Sequence, residues 1–111
     1  MKIKTSEATP LQLDWLICKA AEVPVQFLHG VLFWAGTNLL AAPSSNWSQG
    51  GPIIAQEKVS TYYMPGEVGG AWRAEQLGRF LQAGPTPLVA AMRCYVASKL
   101  GNEVEVPEGL K

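Results

Sequence analysis

The run Gly84-Pro85-Thr86-Pro87-Leu88, with the stretch that follows it to Gly101, constrains this chain more than any other segment. Thr86 can cap a helix, Pro87 pre-organises its first turn, and Val89 to Leu100 is rich in residues compatible with helix. Gly101 is placed to stop it, and Lys99 lies favourably near the carbonyl end. On the helical wheel Leu88, Met92, Tyr95, Val96 and Leu100 form a large apolar arc, which is expected to enter the core. Ala90, Ala91, Cys94, Ala97 and Ser98 form a small-residue side that permits close approach of a helix or sheet, including one across a dimer. Arg93 stands at the edge of the large arc and can offer its guanidinium to a carboxylate, carbonyl or phosphate. An intramolecular pair ranks above ligand recognition for it.

A second helix is predicted from about Pro10 to Ala21. Thr9 is its N-cap, Pro10 takes the first position, and Gln12 completes a capping box. Leu13, Leu16, Ile17, Ala20 and Ala21 make its core stripe, which leaves Trp15 on the other side to pack on another layer, meet a subunit or line a ligand site. Asp14 falls near the first turn, so a capping or solubility role outranks acid/base catalysis.

Between the helices the pattern is mixed. Met1 to Thr5 reads as a short strand or an arm, and Val31 to Trp34 as a short buried strand, with a helix through Phe27, Leu28, Val31 and Leu32 as the competing reading. His29 has no second histidine to join it and reads as a turn or partly buried residue. Gly36-Thr37-Asn38 turns the chain, and Pro43 to Gly51 is expected to be a long loop. Ile53-Ile54-Ala55 is expected to enter a strand, and Lys58 to Met64 to form another. Pro65-Gly66 marks a turn, Gly69-Gly70 adds backbone freedom, and Trp72-Arg73 precedes an expected helix from Ala74 to Leu81. Glu103 to Pro107 alternates like an edge strand, and residues 108–111 are expected to fray.

The polar loop Ser44 to Gly51 carries the main candidate site. Trp47 can stack on a planar ring while Asn46, Ser48, Gln49 and backbone amides satisfy polar edges; packing of Trp47 beneath the loop is the alternative. Gly50-Gly51 is neither a Walker motif nor part of a dinucleotide fingerprint, and a small anion nest is the most that paired glycines suggest. Trp72 and Arg73 could cover the loop and meet an acidic group, although packing and a solvated ion pair are the simpler roles.

Known chemistries find little here. The serines have no His-Asp partnership, Asp14 is the only aspartate, and no spacing of His, Cys or carboxylates reads as a metal site or calls for a cofactor. Nine basic and nine acidic residues cancel, which argues against a protein devoted to gripping nucleic acid. Cys18 and Cys94 are expected to be reduced, and neither a membrane anchor nor a signal peptide is apparent. A length of 111 residues is most economically one domain.

Several segments together resemble small bacteriophage and prophage proteins of the NinX-like family. They are Met1 to Glu7, Leu13-Asp14-Trp15, Trp47-Ser48-Gln49-Gly50-Gly51-Pro52-Ile53-Ile54, and Gly84 to Gly101. The resemblance implies a phage accessory protein in the host bacterial cytoplasm and supplies no catalytic mechanism to carry over. Where the family pattern resembles Ser-Thr-Asp-Trp, this chain has Ser44-Ser45-Asn46-Trp47. Asn46 keeps the size and one oxygen but loses the charge, which suits hydrogen-bonding recognition better than aspartate-dependent chemistry.

Residues and resemblance together lead to an expected α+β domain, with a small antiparallel or mixed sheet packed on at least two helices and assembled as a homodimer. The leading functional expectation is capture of a small polar or nucleotide-like ligand, including sequestration of a host defence signal. Trp15, Trp47 and Trp72 would give apolar faces, and Asn46, Gln49, Gly50, Gly51, Arg73 and Arg93 polar selectivity. The alternative is an inhibitor or adaptor that binds a host or phage protein through the same tryptophans.

Overall fold

A computed structural model of the chain describes residues 1–66 and 72–110. The fold is α+β, and its order is β1 (Lys2–Lys4), a 3-10 turn (Thr5–Glu7), α1 (Pro10–Ala20), β2 (Val25–Leu28), β3 (Val31–Trp34), α2 (Trp47–Glu57), β4 (Val59–Tyr63), β5 (Trp72–Gln76), β6 (Arg79–Gly84), α3 (Pro87–Leu100) and β7 (Glu103–Glu105). The strands form three antiparallel sheets, β1-β7, β2-β3 and β4-β5-β6. The expected Gly69-Gly70 backbone freedom lies outside the described residues.

Helix α3 is the centre of the molecule. Leu88, Met92, Tyr95 and Val96 are buried on one side, and Ala90, Ala91, Cys94 and Ala97 on the other. It packs against α1, α2 and all three strands of the β4-β5-β6 sheet. A helix covered on most of its circumference has little room for a polar face, which explains why both arcs of its wheel are apolar. The small side does allow close approach, and within the chain: a Cβ on Gly84 would lie 2.7 Å from the Ala90 nitrogen.

The predicted caps form. Gln12 N donates to Thr9 Oγ1 at 3.4 Å, Thr9 N donates to Gln12 Oε1 at 3.0 Å, and Thr86 Oγ1 accepts from Val89 N at 3.1 Å. The β2-β3 pair turns through His29 (φ 51°) and Gly30 (φ 77°), so His29 is a hairpin residue, and Phe33 bridges Leu40 on its other side.

Two expected elements are replaced. Ile53 and Ile54 lie in α2, not in a strand, so the long loop from Pro43 ends where the helix starts at Trp47. Gly50-Gly51-Pro52 does not break the helix, because Pro52 forfeits only one internal hydrogen bond and Gly50 supplies space that no other residue would (below). Residues 74–81 are not a helix; they form the hairpin of β5 and β6, turned by Leu77 (φ 51°) and Gly78 (φ 77°). The apolar residues of that stretch suit either period, and the Leu77-Gly78 turn decides.

Chain ends are also tied down. Thr5 is wholly buried, its N donates to Asn102 O at 2.8 Å, and its hydroxyl donates to Gly101 O at 2.7 Å. Leu110 is 1% exposed and its carbonyl accepts from Gln12 Nε2 at 3.0 Å, so the chain up to residue 110 is docked where fraying was expected.

Candidate functional site

The segment from Ala42 to Gly51 is built from side chains that bond back to backbone. Asn46 caps α2, its Oδ1 accepting from Ser48 N at 2.9 Å and Ser48 Oγ at 2.6 Å. Asp and Asn are near-equivalent in that role, so capping does not require a carboxylate at this position. Gln49 is a clamp: its Oε1 accepts from Ala42 N at 2.8 Å and its Nε2 donates to Leu40 O at 2.9 Å. Gly50 is pressed onto the Pro43 carbonyl and within 2.7 Å of Leu88 Cδ1 for any added Cβ, whereas a Cβ on Gly51 meets only the Trp47 ring at 3.9 Å. Trp47 itself is 55% exposed.

Asp14 anchors the same segment from below. It is buried, and its Oδ1 accepts from Ser44 N at 2.8 Å, which replaces the expected capping or solubility role. Ser44 Oγ is buried with no partner in hydrogen-bond geometry, so the backbone N–H makes the contact. Burial pushes the Asp14 carboxyl above its ordinary range, and its bonding to Ser44 pulls partly back. The native state therefore holds this proton more tightly than the unfolded chain. The contribution is greatest at pH below the ordinary carboxylate range and is lost as pH rises through the raised folded value. Asp14→Asn, which keeps an oxygen for Ser44, is expected to raise the melting temperature at neutral pH and to flatten its pH dependence in thermal melts between mildly acid and neutral buffer.

Both cysteines are buried and unbridged. Burial, with the Asp14 carboxylate adding, pushes the Cys18 thiol up to about 12; burial, with Glu75 adding, pushes Cys94 up to about 11. Such thiols are poor nucleophiles. Among the described residues no group of three or more His, Cys, Asp or Glu side chains could hold a metal ion.

The remaining singled-out residues lie elsewhere. Trp15 is partly buried between the two apolar clusters, with Lys19 Nζ 5.1 Å from its ring centroid. Trp72 packs on the main core, and its ring meets Tyr63 at 5.3 Å and 60°. Arg73 is its neighbour on β5, Nη1 donating to Trp72 O at 3.4 Å. Arg93 donates from Nη1 to Ala83 O at 2.9 Å and from Nη2 to Ala8 O at 3.1 Å. Asn46, Trp47, Gln49, Gly50 and Gly51 are thus together at the start of α2, while Trp15, the Trp72-Arg73 pair and Arg93 sit in separate contacts. Four clefts, of about 470, 450, 340 and 220 Å³, are lined by none of the nine.

A surface that the sequence reading did not single out is the outer face of the β2-β3 hairpin. Register places Val25, Phe27, Leu32 and Trp34 on one side, where Leu32 is buried with Cys18 and Ala41 and packed by Leu11 and Trp15. Gln26, Leu28, Val31 and Phe33 are on the other side and line the 340 Å³ cleft with His29, Thr37 and Asn38. Leu28 is 45% exposed and Leu40, opposite Phe33, is 56% exposed. The unbroken run Val31-Leu32-Phe33-Trp34 is the signal that could have found it, because an apolar run without alternation belongs to a strand covered on both faces.

Among the described residues no helix is long and apolar enough to cross a membrane. No curated protein matches the chain. Residues 4–99 match the family described as Bacteriophage P22, NinX, a span that includes both the Asn46-capped helix and the α3 core helix. On that match the chain belongs to the phage NinX family.

Proposed function

We propose that this phage protein acts in the host bacterial cytoplasm as an interaction module, binding a host or phage protein through the outer face of the β2-β3 hairpin. One observation carries the reading. Leu28, Val31 and Leu40 stand exposed where the water-facing side of a hairpin is ordinarily polar. Contiguous exposed apolar surface rimmed by polar residues marks interaction sites on folded proteins. Capture of a small ligand by the Trp47 loop has less support, because Asn46, Gln49 and Arg93 spend their polar groups on this chain's own atoms.

The test is native mass spectrometry of the protein isolated from infected cells, with Leu28→Lys/Leu40→Lys as the comparison. The wild type is expected to carry a second protein in fixed ratio, and the double variant to lose it while keeping its circular dichroism and melt. A complex that survives the variant, a retained small molecule without a protein, or a dimer of this chain alone would each defeat the proposal.

A further inference from the structure

The 470 Å³ cleft is bordered by β6 and the β1-β7 ribbon, and most of its lining residues are polar: Lys4, Ser6, Gln82, Asn102 and Glu103, with Leu81 as the apolar member. Its volume is in the range of small-molecule sites, roughly 300–1,000 Å³. Gln82 pairs with Ala74 across the sheet and so shares the face of the strand that turns toward α3. Its Oε1 is buried and accepts no hydrogen bond. A shielded amide oxygen without a donor is costly to leave unmade, so it marks a place where a donor from outside the chain would be gained.

Charge gives that outside group its chemistry. Lys4 and Glu103 are direct cross-strand partners, yet no ion pair joins them among the described residues. A cation and an anion therefore flank one cleft with each free to take a partner from solution. We propose that the cleft binds a small zwitterion of the α-amino acid type. Its carboxylate meets the Lys4 ammonium, and its ammonium donates to the Glu103 carboxylate and to Gln82 Oε1. Ser6 and Asn102 supply further polar contacts, and exposed Leu81 offers a surface to an apolar side chain. This site is independent of the hairpin face, so either can fail alone.

The probe is L-alanine, titrated into the isotopically labelled full chain while amide resonances are followed, with acetate and methylammonium as its separate halves. L-alanine is expected to shift Ser6, Gln82 and Asn102 saturably, and each half at the same concentration to give no saturable shift. Gln82→Met removes the unpaired oxygen at similar volume, so it is expected to melt at the same or higher temperature and to lose the response. Absence of a saturable shift, as when Gln82 holds only a water molecule, overturns the proposal; so does an equal response to acetate, or a response that persists in Gln82→Met.

Discussion

Gly50→Ala is expected to cost the protein about 2 kcal/mol of stability, and Gly51→Ala, one residue later in the same helix, to cost clearly less. Both substitutions gain helix propensity, since glycine is about 1 kcal/mol poorer than alanine inside a helix. At Gly51 the added methyl meets the Trp47 ring at an ordinary 3.9 Å, and the restriction that Pro52 places on a helical residue before it offsets part of the gain. At Gly50 the methyl would run into the Pro43 carbonyl and lie 2.7 Å from Leu88 Cδ1. A backbone carbonyl cannot swing aside as a side chain can, and Leu88 belongs to the packed core. Overpacking of this kind costs about 3 kcal/mol, which exceeds the propensity gain. Denaturant melts should therefore place Gly50→Ala well below Gly51→Ala; a stabilised Gly50→Ala would mean that α2 does not press on Pro43 as described.

Arg93→Met is expected to lose about 3 kcal/mol, measured in the same way. The guanidinium bonds carbonyls from two distant parts of the chain, Ala8 before α1 and Ala83 at the end of β6. Hydrogen bonds from a charged donor contribute about 1.5–3 kcal/mol each, and their loss leaves two partly shielded acceptors unmade. Against this, methionine no longer desolvates a charge, the effect that lowers the Arg93 pKa, and Nε, buried without a partner, is removed as well. The two lost bonds outweigh that return. Arg93→Lys should recover only part of the loss, because one ammonium on a flexible stem cannot span both carbonyls as the fork does. A variant as stable as the wild type would show these bonds to be incidental.

What the sequence disclosed depended on how local the deciding physics was. Thr9 with Gln12, and Thr86 with Pro87, cap α1 and α3 through groups within one helical turn, so residue order alone predicts them. Gly50-Gly51-Pro52 was misleading because its reason is tertiary: the glycine that normally weakens a helix is the residue that lets this one approach Pro43. Likewise residues 74–81 suit a helix until Leu77-Gly78 turns the chain back. For the candidate site the gap was wider. Polar residues beside tryptophans looked like recognition groups, but whether Gln49 faces a ligand or the Leu40 and Ala42 backbone depends on a fold that spacing does not encode. The hairpin's outer face depends on tertiary placement, since α1 packs on Leu32 from the opposite side and leaves Leu28 and Val31 outward.

Because α3 is the surface on which α1, α2 and the three-stranded sheet all pack, its late position in the chain governs events during translation. As the polypeptide leaves the ribosome, Leu13, Leu16 and Ala74 have emerged before the helix that buries them, and β1 waits for β7, made later still. Assembly of the core is thus deferred until α3 has emerged. The β2-β3 hairpin, whose pairing is local, is free to form earlier, so its apolar surface meets the ribosome exit, chaperones and other nascent chains before the rest of the protein exists.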